Sequence, residues 1–326
     1  MMTGIIVVSY HNAEGTRKYV VKQLSKLSDA YRVIVVAVDA TEEYGRNLAY
    51  DCELLYINQS QQVADHPKGW CISTTENLGY AKGNNWGVNI LKKSGISFDN
   101  YLFSNDDIEI MNPNILNVLA TTFYQDEQCA GVGPRVIGLD GNDQSPHMKY
   151  ISPKRLIGWQ LFPFLRKKRK RETMKNQKAT FTISESTQLR RQNTTTKQAM
   201  IPTTTPKPPK GKCYWVSGAF MLVRADRFHV VEGFDSRTFL YYEEAILAER
   251  FILHGWSFAF EPSVSVIHYE GGSTTVKTDK RNAIETESRI LYYKEYRREH
   301  SWLLWIYEKI SKICLLYTSP SPRDTR

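Results

Sequence analysis

Short apolar runs alternate with stretches of helical spacing along the first 148 residues of the chain. Ile5–Ser9 and Arg32–Val38 are continuously apolar and β-branched, as strands buried on both faces are, and Leu54–Asn58 is a shorter candidate. Ala13–Leu27 and Asn84–Leu91 place apolar residues at helical spacing. This alternation predicts an α/β fold with a mostly parallel, doubly wound sheet and helices on both faces.

One predicted strand ends in a polar cluster that suggests chemistry. The apolar run that begins at Tyr101 leads into Asn105, Asp106 and Asp107. Open α/β sheets bind ligands beyond the carboxyl ends of their strands, and carboxylate oxygens suit Mg²⁺ or Mn²⁺. A plain polar turn is the alternative, because Asn and Asp are common turn residues.

A second acidic pair, Glu243 and Glu244, stands at the predicted start of an amphipathic helix. Carboxylates at a helix N-terminus are stabilised there, so ordinary helix-start acids are the alternative to a catalytic role. Phe258–Pro262 and Val264–His268 then follow as two predicted strands, and a lone histidine such as His268 is more often structural than a ligand. Upstream, Asn77–Gly83 is predicted to be a turn-rich loop.

The positive charge of the chain is concentrated in one insert. Between Lys149 and Lys212 there are 17 Lys or Arg residues against two acids, a net charge of +15, whereas the remainder carries −6. The basic pI is therefore a property of the insert, and nucleic acid is not an expected partner. Thr, Lys, Gln and Pro dominate residues 149–211, which predicts a largely disordered segment.

The front of the insert joins an apolar stretch, Leu156–Leu165, to six consecutive cations, Arg166–Arg171. An anionic membrane surface attracts such a combination, at about 1 kcal/mol per basic residue near the lipid. A solvated charge run is the other interpretation, and the sequence leaves both open.

The remaining features concern compartment and termini. Five scattered cysteines without C-x-x-C spacing indicate a reducing compartment and no structural zinc site. We also expect neither a secretory signal nor a membrane-spanning segment. Ser301–Ile313 predicts an amphipathic helix that packs on the core or lies on a membrane. The tail, Tyr317–Arg326, fits no element and is expected to be unstructured.

Taken in order, the motifs resemble those of family 2 glycosyltransferases with the GT-A fold, of the bacterial rhamnosyltransferase-like group that builds surface polysaccharides. The resemblance covers about residues 3–148 and 212–276. Its pieces are Val7–Asn12, Val35–Asp39, Asn77–Asn85, Ser104–Asp107, Trp215–Ala219, Gly233–Asp235 with Phe239–Glu244, and His268–Ser273.

The resemblance implies an inverting enzyme that uses a divalent cation, Mg²⁺ or Mn²⁺. The sugar would move from a UDP-, dTDP- or GDP-linked donor to a hydroxyl of a glycan or lipid-linked acceptor. It further implies a cytoplasmic location, to which the basic insert adds peripheral attachment at the inner face of the plasma membrane. The implied division is a nucleotide-sugar half (1–148), the insert (149–211), an acceptor and catalytic-base half (212–276) and a helical extension with its tail (277–326).

Roles for individual residues follow from the same resemblance. Asp107, Asn105 and His268 would bind the metal, and Glu244 or its neighbour Glu243 would be the catalytic base. The acceptor and sugar pocket would contain Trp215, Ser217, Gly218 and Ala219. The nucleotide would be bound by Ser9, Tyr10, Asp39, Asn77, Gly79, Gly83, Asn85 and Asp106.

Two departures from the family pattern support an alternative function. The second strand continues as Asp39–Glu43 without the usual Asn and Ser or Asp residues, and Ile246 stands where a further Asp is usual. A non-catalytic GT-A scaffold that docks at a membrane surface is therefore the second hypothesis. The intact Asp107 and Glu244 favour the enzyme. A nucleotidyltransferase is a weaker third, because the chain lacks a Gly- and Lys/Arg-rich phosphate loop near its N-terminus.

Overall fold

The computed structural model describes residues 1–58, 63–161, 211–269 and 278–318. Within these ranges, ten strands form one sheet. The strands are β1 (Met2–Tyr10), β2 (Ala30–Val38), β3 (Leu55–Tyr56), β4 (Gly69–Thr74), β5 (Asn100–Ser104), β6 (Ile108–Ile110), β7 (Cys129–Gly138), β8 (Gly211–Cys213), β9 (Phe220–Arg224) and β10 (Ser257–His268).

The sheet follows the order β3-β4-β2-β1-β5-β9-β7-β10-β6, with β8 also paired to β10. Successive strands along β3-β4-β2-β1-β5 pair in parallel, and so do β7 and β10. Strands β6 and β8 pair antiparallel with β10. The reversed strand β9 lies antiparallel between β5 and β7 and joins the two parallel groups. The predicted mostly parallel α/β fold is therefore confirmed.

Nine α-helices lie in the described ranges, and those of the main body cover both faces of the sheet. They are α1 (Ala13–Lys18), α2 (Glu42–Asp51), α3 (Gly79–Lys93), α4 (Ile115–Tyr124), α5 (Pro153–Leu161), α6 (Ala225–Val230), α7 (Glu243–Leu253), α8 (Thr278–Leu291) and α9 (Ser301–Thr318).

Side chains that alternate along a strand enter two separate cores. Ile5 and Val7 of β1 pack in one core with residues of α2 and α4, such as Leu48 and Leu119. Ile6 points to the other face and packs with residues of α3, α6 and α7. This two-sided burial explains why the strands are apolar at every position.

The turn-rich loop predicted for Asn77–Gly83 is wrong, because α3 already begins at Gly79. Its glycines serve close packing of the helix on the sheet: a Cβ on Gly83 would approach Val8 to 2.9 Å, and one on Gly87 would approach Ile6 to 2.6 Å. The two strands predicted around Pro262 are also one strand, β10, whose pairing with β7 shifts register between Glu261 and Ser265. Proline lacks the N–H that a regular ladder requires, so the irregularity coincides with it.

A third, smaller core is built by the helices at the end of the chain. Tyr292, Tyr293 and Leu304 pack there against Ala245 and Ile246 of α7. Helix α9 confirms the helix predicted at Ser301–Ile313 and extends to Thr318, with its buried face on this core and Trp302 and Trp305 exposed.

Part of the predicted disordered insert is ordered. Residues 153–161 form α5, which packs against α9 with a hydrogen bond from Gln160 Nε2 to Ser311 Oγ (3.0 Å). The cationic run Arg166–Arg171 and the tail beyond Thr318 lie outside the described residues. Across the helices that the structure describes, none combines the length and the apolar character needed to cross a membrane.

Candidate active site

A cavity of about 590 Å³ opens at the carboxyl ends of the central strands. Both acidic clusters found in the sequence contribute to its wall, although 136 positions separate Asp107 from Glu243. Thirteen of the predicted site residues line it: Tyr10, Asn77, Gly79, Asn105, Asp106, Asp107, Trp215, Ser217, Gly218, Ala219, Glu243, Glu244 and His268.

The predicted metal ligands converge because two strands end side by side. His268, the last residue of β10, pairs with Ile108 at the start of β6, and the Tyr269 N–H donates to the Asp107 carbonyl (3.0 Å). His268 Nε2 consequently lies 3.2 Å from Asp107 Oδ1 and 3.1 Å from Asn105 Nδ2.

The hydrogen bonds around His268 favour a cation between these groups. His268 Nδ1 donates to Gln144 Oε1 (2.7 Å), so in the neutral ring Nε2 has a lone pair, which accepts the Asn105 Nδ2–H (3.1 Å). Nε2 of the neutral ring also lies 3.2 Å from the Asp107 carboxylate oxygen Oδ1. These two electron-rich atoms repel each other unless a proton or a cation lies between them. Asp107 Oδ1 is also shielded from solvent without a hydrogen-bond partner.

The donor set fits a divalent cation that shares its ligands with a substrate. Within the described ranges, no three His, Cys, Asp or Glu side chains cluster as a complete metal site. Asp107, His268 and the amide oxygen of Asn105 together offer an incomplete set. Mg²⁺ and related ions are commonly held by one or two carboxylates, with waters and substrate phosphates as the remaining ligands.

Asp106 faces a different partner from its neighbour Asp107. Its Oδ2 accepts a hydrogen bond from Thr16 Oγ1 (2.7 Å), and Thr16 in turn contacts Ser9 Oγ (2.7 Å). Burial raises the pKa of Asp106 to about 6, against the lowering effect of the Thr16 hydrogen bond. The carboxylate is thus anchored to the start of α1, and Asp107 is the acid left to meet a metal.

The Asn77 segment joins the two halves of the cavity. Asn77 Oδ1 accepts the Gly79 N–H (3.1 Å), and the Tyr80 N–H donates to the Phe239 carbonyl (2.8 Å). Gly79 has φ +65, and a Cβ there would lie 2.2 Å from the Phe239 oxygen. Only glycine fits this turn, since it tolerates both the conformation and the close approach.

Four residues predicted to bind the nucleotide are not part of the cavity wall. Ser9 is buried behind it, Gly83 packs on Val8, and Asn85 binds the backbone of Phe234 through Nδ2 (2.8 Å) and Oδ1 (3.0 Å). Asp39 is half exposed at the end of β2 and pairs with the ring of His11 (2.9 Å). Ser9 and Gly83 adjoin the wall residue Val8, and Asn85 ties α3 to the Phe234 backbone. Asp39 directly follows Val38, which lines the cavity.

The acidic pair begins α7 after a strained turn. Tyr241 (φ +74) and Tyr242 (φ +70) are consecutive non-glycine residues in the left-handed region. Such conformations cost about 1–3 kcal/mol each and persist where the surrounding structure enforces them, as at functional sites. They place both Glu243 and Glu244 at the cavity wall.

The two glutamates have different surroundings. Glu244 is partly exposed, and its Oε1 accepts the Gly218 N–H (2.8 Å). Glu243 is only 2 % exposed, and its Oε1 has no hydrogen-bond partner. Burial raises the pKa of both carboxyls, most strongly that of Glu243, to which the charge of Glu244 adds. Glu244 is therefore the acid that ionises more readily and reaches the open cavity.

The Trp215–Ala219 segment lies between the two acidic clusters. The Asn105 N–H donates to the Ala219 carbonyl (3.0 Å), which ties the segment to the metal side. Gly218 binds Glu244, which ties it to the other side. The Trp215 ring stacks on His147 at 4.6 Å and provides a flat aromatic surface in the cavity.

Several wall residues were missed from the sequence. Tyr80 stands inside a quoted motif, and its hydroxyl donates to the Gly218 carbonyl (2.8 Å). His147, and the pair Lys280 and Arg281 of α8, carry no local sequence signal of a site. Their positions depend on contacts between distant segments of the chain.

Gly218→Ala is expected to lower catalytic activity with little change in the fold. The new Cβ would lie 2.3 Å from Glu244 Oε1 and 2.7 Å from the Tyr80 hydroxyl, so the carboxylate must move. Misplacing a reacting group by about 1 Å can cost about 10²-fold in rate. Steady-state kinetics alongside thermal unfolding test this. Gly158→Ala is the comparison, because Gly158 of α5 has open space around its Cβ position and lies outside the cavity wall.

Comparisons with known proteins found relatives by sequence and by fold. A mycobacterial N-acetylglucosaminyl-diphospho-decaprenol L-rhamnosyltransferase (Mycobacterium tuberculosis) is 38% identical over 68 residues, which are 21% of this chain and only 22% of that relative. GalNAc-T7, solved with UDP, GalNAc and Mn²⁺, aligns with 98% of this chain and 56% of its own at a TM-score of 0.51 and 12% identity. The mannosyltransferase PcManGT from Pyrobaculum calidifontis, solved with GDP-Man and Mn²⁺, aligns with 99% of this chain and 77% of its own at a TM-score of 0.48 and 10% identity.

The family comparison covers far more of the sequence than the curated relative does. The family model described as "Glycosyltransferase like family 2" matches residues 2–285, which include all the described residues of the cavity wall except Tyr292 and Tyr293. Helix α9 and the tail lie beyond the match. The chain therefore belongs to glycosyltransferase family 2 and has the GT-A fold.

Proposed function

We propose that this protein is an inverting, metal-dependent glycosyltransferase. It would move a sugar from a nucleotide-diphosphate sugar to a hydroxyl group of a growing, lipid-linked glycan. The observation that carries this proposal is the shared cavity, which holds Asp107, Asn105 and His268 on one side and Glu244 on the other. A leaving-group site and a base site that face one cavity are what a single displacement requires.

The metal side would bind the donor diphosphate. Asp107, His268 and Asn105 would hold a divalent cation, whose chemistry is to neutralise the charge that develops on the leaving diphosphate. Asn105 is bonded through its backbone to Ala219, so the ligand end of β5 is fixed to the middle of the cavity. Asp106 supports this end from behind through Thr16.

The other side would activate the acceptor substrate. Its hydroxyl oxygen attacks the anomeric carbon, the bond from that carbon to the diphosphate oxygen breaks, and the hydroxyl proton passes to Glu244. The Gly218 N–H holds Glu244 Oε1, which leaves Oε2 to accept the proton. Attack opposite the leaving group inverts the anomeric centre.

The nature of the substrates is inferred from the wall and from the relatives. Trp215, stacked on His147, is suited to pack against a sugar ring. The partial mycobacterial relative is a rhamnosyltransferase named for a diphospho-decaprenol-linked acceptor, and we extend a deoxyhexosyl donor and a lipid-linked acceptor to this chain as proposals. The nucleotide would be UDP, dTDP or GDP.

A screen of nucleotide sugars tests the proposed function. Purified protein is incubated with UDP-, dTDP- and GDP-linked sugars with Mn²⁺ or with EDTA, and release of nucleoside diphosphate is measured. We expect one donor to be turned over slowly in Mn²⁺ and faster with a suitable acceptor. No turnover of any donor, together with no nucleotide binding, would leave the non-catalytic scaffold as the better hypothesis.

Deleting residues 166–211 is expected to leave donor turnover nearly unchanged and to release the protein from anionic vesicles. This segment contains most of the insert's excess positive charge and lies outside the family 2 motifs. Co-sedimentation with vesicles that contain phosphatidylglycerol, at low and high salt, measures the binding. Deleting only 172–211 keeps the cationic run Arg166–Arg171 and should retain the binding. If the longer deletion still binds, the exposed Trp302 and Trp305 of α9 are the attachment site to test next.

A further inference from the structure

The charges around the cavity are strongly unequal. Its described wall contains five acids, namely Asp106, Asp107, Glu243, Glu244 and Glu285. Against them stand only two Lys or Arg residues in the same part of the wall, Lys280 and Arg281. These cations are consecutive in α8, and neither is needed to explain the donor and base sites proposed above.

Lys280 and Arg281 belong to the catalytic-base side of the cavity. The Arg281 guanidinium lies over the Tyr241 ring, 5.5 Å from its centre, and Tyr241 is two residues before Glu243. The third cation of α8 is committed differently: Arg289 donates to the Tyr242 hydroxyl (2.7 Å) and is bonded to Glu285. Among the described residues, neither Lys280 nor Arg281 has an acid as an ion-pair partner, and both are exposed.

The cavity wall that includes these two cations also contains apolar and aromatic side chains. Ile284 lies four residues after Lys280 in α8, and Ile151, Tyr241 and Tyr242 line the same cavity. Side chains of this kind bind apolar groups, and Lys and Arg bind phosphate oxygens through charge-assisted hydrogen bonds. A ligand that pairs an anionic phosphate with an apolar chain matches both parts.

We propose that Lys280 and Arg281 bind the phosphate groups of the acceptor substrate, a diphosphate ester of an apolar alcohol. This inference rests on the proposed function and adds to it the residues that select the acceptor. With the phosphates held by α8, a hydroxyl on the attached sugar is directed toward Glu244. A neutral acceptor of the same sugar would lack this anchor.

Binding of geranyl diphosphate in EDTA tests the inference without any requirement for turnover. EDTA suppresses binding of a diphosphate through a metal at Asp107, so the remaining binding reports a metal-independent site. Calorimetry compares the wild type with the double variant Lys280→Gln/Arg281→Gln. We expect Kd to rise about tenfold or more, because each charged hydrogen bond contributes appreciably to binding.

The control variant replaces two other surface cations by glutamine. Lys92→Gln/Lys93→Gln removes two consecutive exposed cations at the end of α3, outside the cavity wall, and should leave Kd unchanged. A second arm measures the affinity for the nucleoside diphosphate in Mn²⁺, which the Lys280→Gln/Arg281→Gln variant should leave within about twofold of wild type. A circular dichroism spectrum of each variant confirms that it is folded.

The outcomes separate this inference from the proposed function. Unchanged geranyl diphosphate binding in the Lys280→Gln/Arg281→Gln variant overturns the inference, whatever the enzyme does with donors. A loss of nucleotide affinity in Mn²⁺, with geranyl diphosphate binding unaffected, assigns the two cations to the donor and also overturns it. If no nucleotide sugar is turned over but the variant loses geranyl diphosphate binding, the phosphate site stands and the glycosyltransferase proposal fails.

Discussion

Glu244→Gln is expected to lower sugar transfer by about two to four orders of magnitude, the range that general-base catalysis supplies. The amide still reaches the Gly218 N–H that holds the glutamate (2.8 Å), but it cannot accept the proton of the acceptor hydroxyl. The affinity for the nucleoside diphosphate should barely change, because the metal side and the Asn77 segment are the parts of the cavity proposed to bind it. Transfer rates and nucleotide calorimetry on the same preparation measure both quantities.

Glu243→Gln is the matched control for this prediction. Glu243 is almost completely buried, and its Oε1 has no hydrogen-bond partner, so an uncharged side chain suits its surroundings. Loss of its charge also removes the repulsion between the Glu243 and Glu244 carboxylates. We expect transfer to fall much less than in Glu244→Gln. If both variants transfer sugar at near-normal rates, the start of α7 does not supply the base.

The pH dependence of transfer adds an independent check on Glu244. A base acts only when deprotonated, so transfer should fall as the pH drops through its pKa. Burial raises that pKa, which places the acid limb of the profile above the range of an ordinary glutamate. The limb should be lost in Glu244→Gln. A limb unchanged in the variant would assign it to another group, such as Asp106, whose pKa burial raises to about 6.

Much of the fold could be predicted because burial on both faces of the sheet leaves a plain signature. Strands β1 and β2 are apolar at nearly every position, since Ile5 and Ile6 enter different cores. Helix α3 shows the limit of this reasoning. Gly79 and Gly83 suggest a loop by composition, yet they are glycines because the helix packs closely on Val8 and on the Phe239 backbone.

The candidate site could be predicted where its chemistry is local. Asn105 and Asp107 could be predicted because a polar Asn-Asp-Asp cluster that follows a buried strand is conspicuous in the sequence. The different surroundings of Asp106 and Asp107 could not be predicted, because Asp106 is hydrogen-bonded to Thr16, which lies 90 positions away along the chain. The role of Asn85 as a support for Phe234 likewise depends on a partner 149 positions away.

One departure from the family pattern has a physical explanation in the third core. Ile246 stands where the family usually carries a further acid, and here it is fully buried beside Tyr292 and Tyr293. An acid at this position would be desolvated against aromatic rings at a high cost. The helices after residue 277 cover this face of α7, so the substitution accompanies the extension and leaves the Glu244 side of the cavity unchanged.

Asp107→Ala is expected to abolish metal-dependent binding of the nucleoside diphosphate while the fold stays intact. Asp107 follows the end of β5, and its Oδ1 has no hydrogen-bond partner to lose. Removal of the carboxylate takes away its contact with His268 Nε2 at 3.2 Å in the cavity wall and no core packing, so stability should change little. Calorimetry with Mn²⁺ and with EDTA measures the metal-dependent part of the affinity, and thermal unfolding reports the fold.

Asp106→Asn supplies the comparison for that loss. The Asn side chain can still accept the hydrogen bond from Thr16 Oγ1 (2.7 Å in the wild type), and the burial that raises the pKa of Asp106 to about 6 already disfavours the charged form there. We therefore expect Asp106→Asn to keep most of the Mn²⁺-dependent affinity that Asp107→Ala loses. Equal nucleotide affinity with Mn²⁺ and with EDTA in the wild type would contradict the metal role of Asp107 directly. Equal losses in the two variants would show instead that the whole Asn105–Asp107 turn acts as one unit, with its geometry set by the Thr16 anchor.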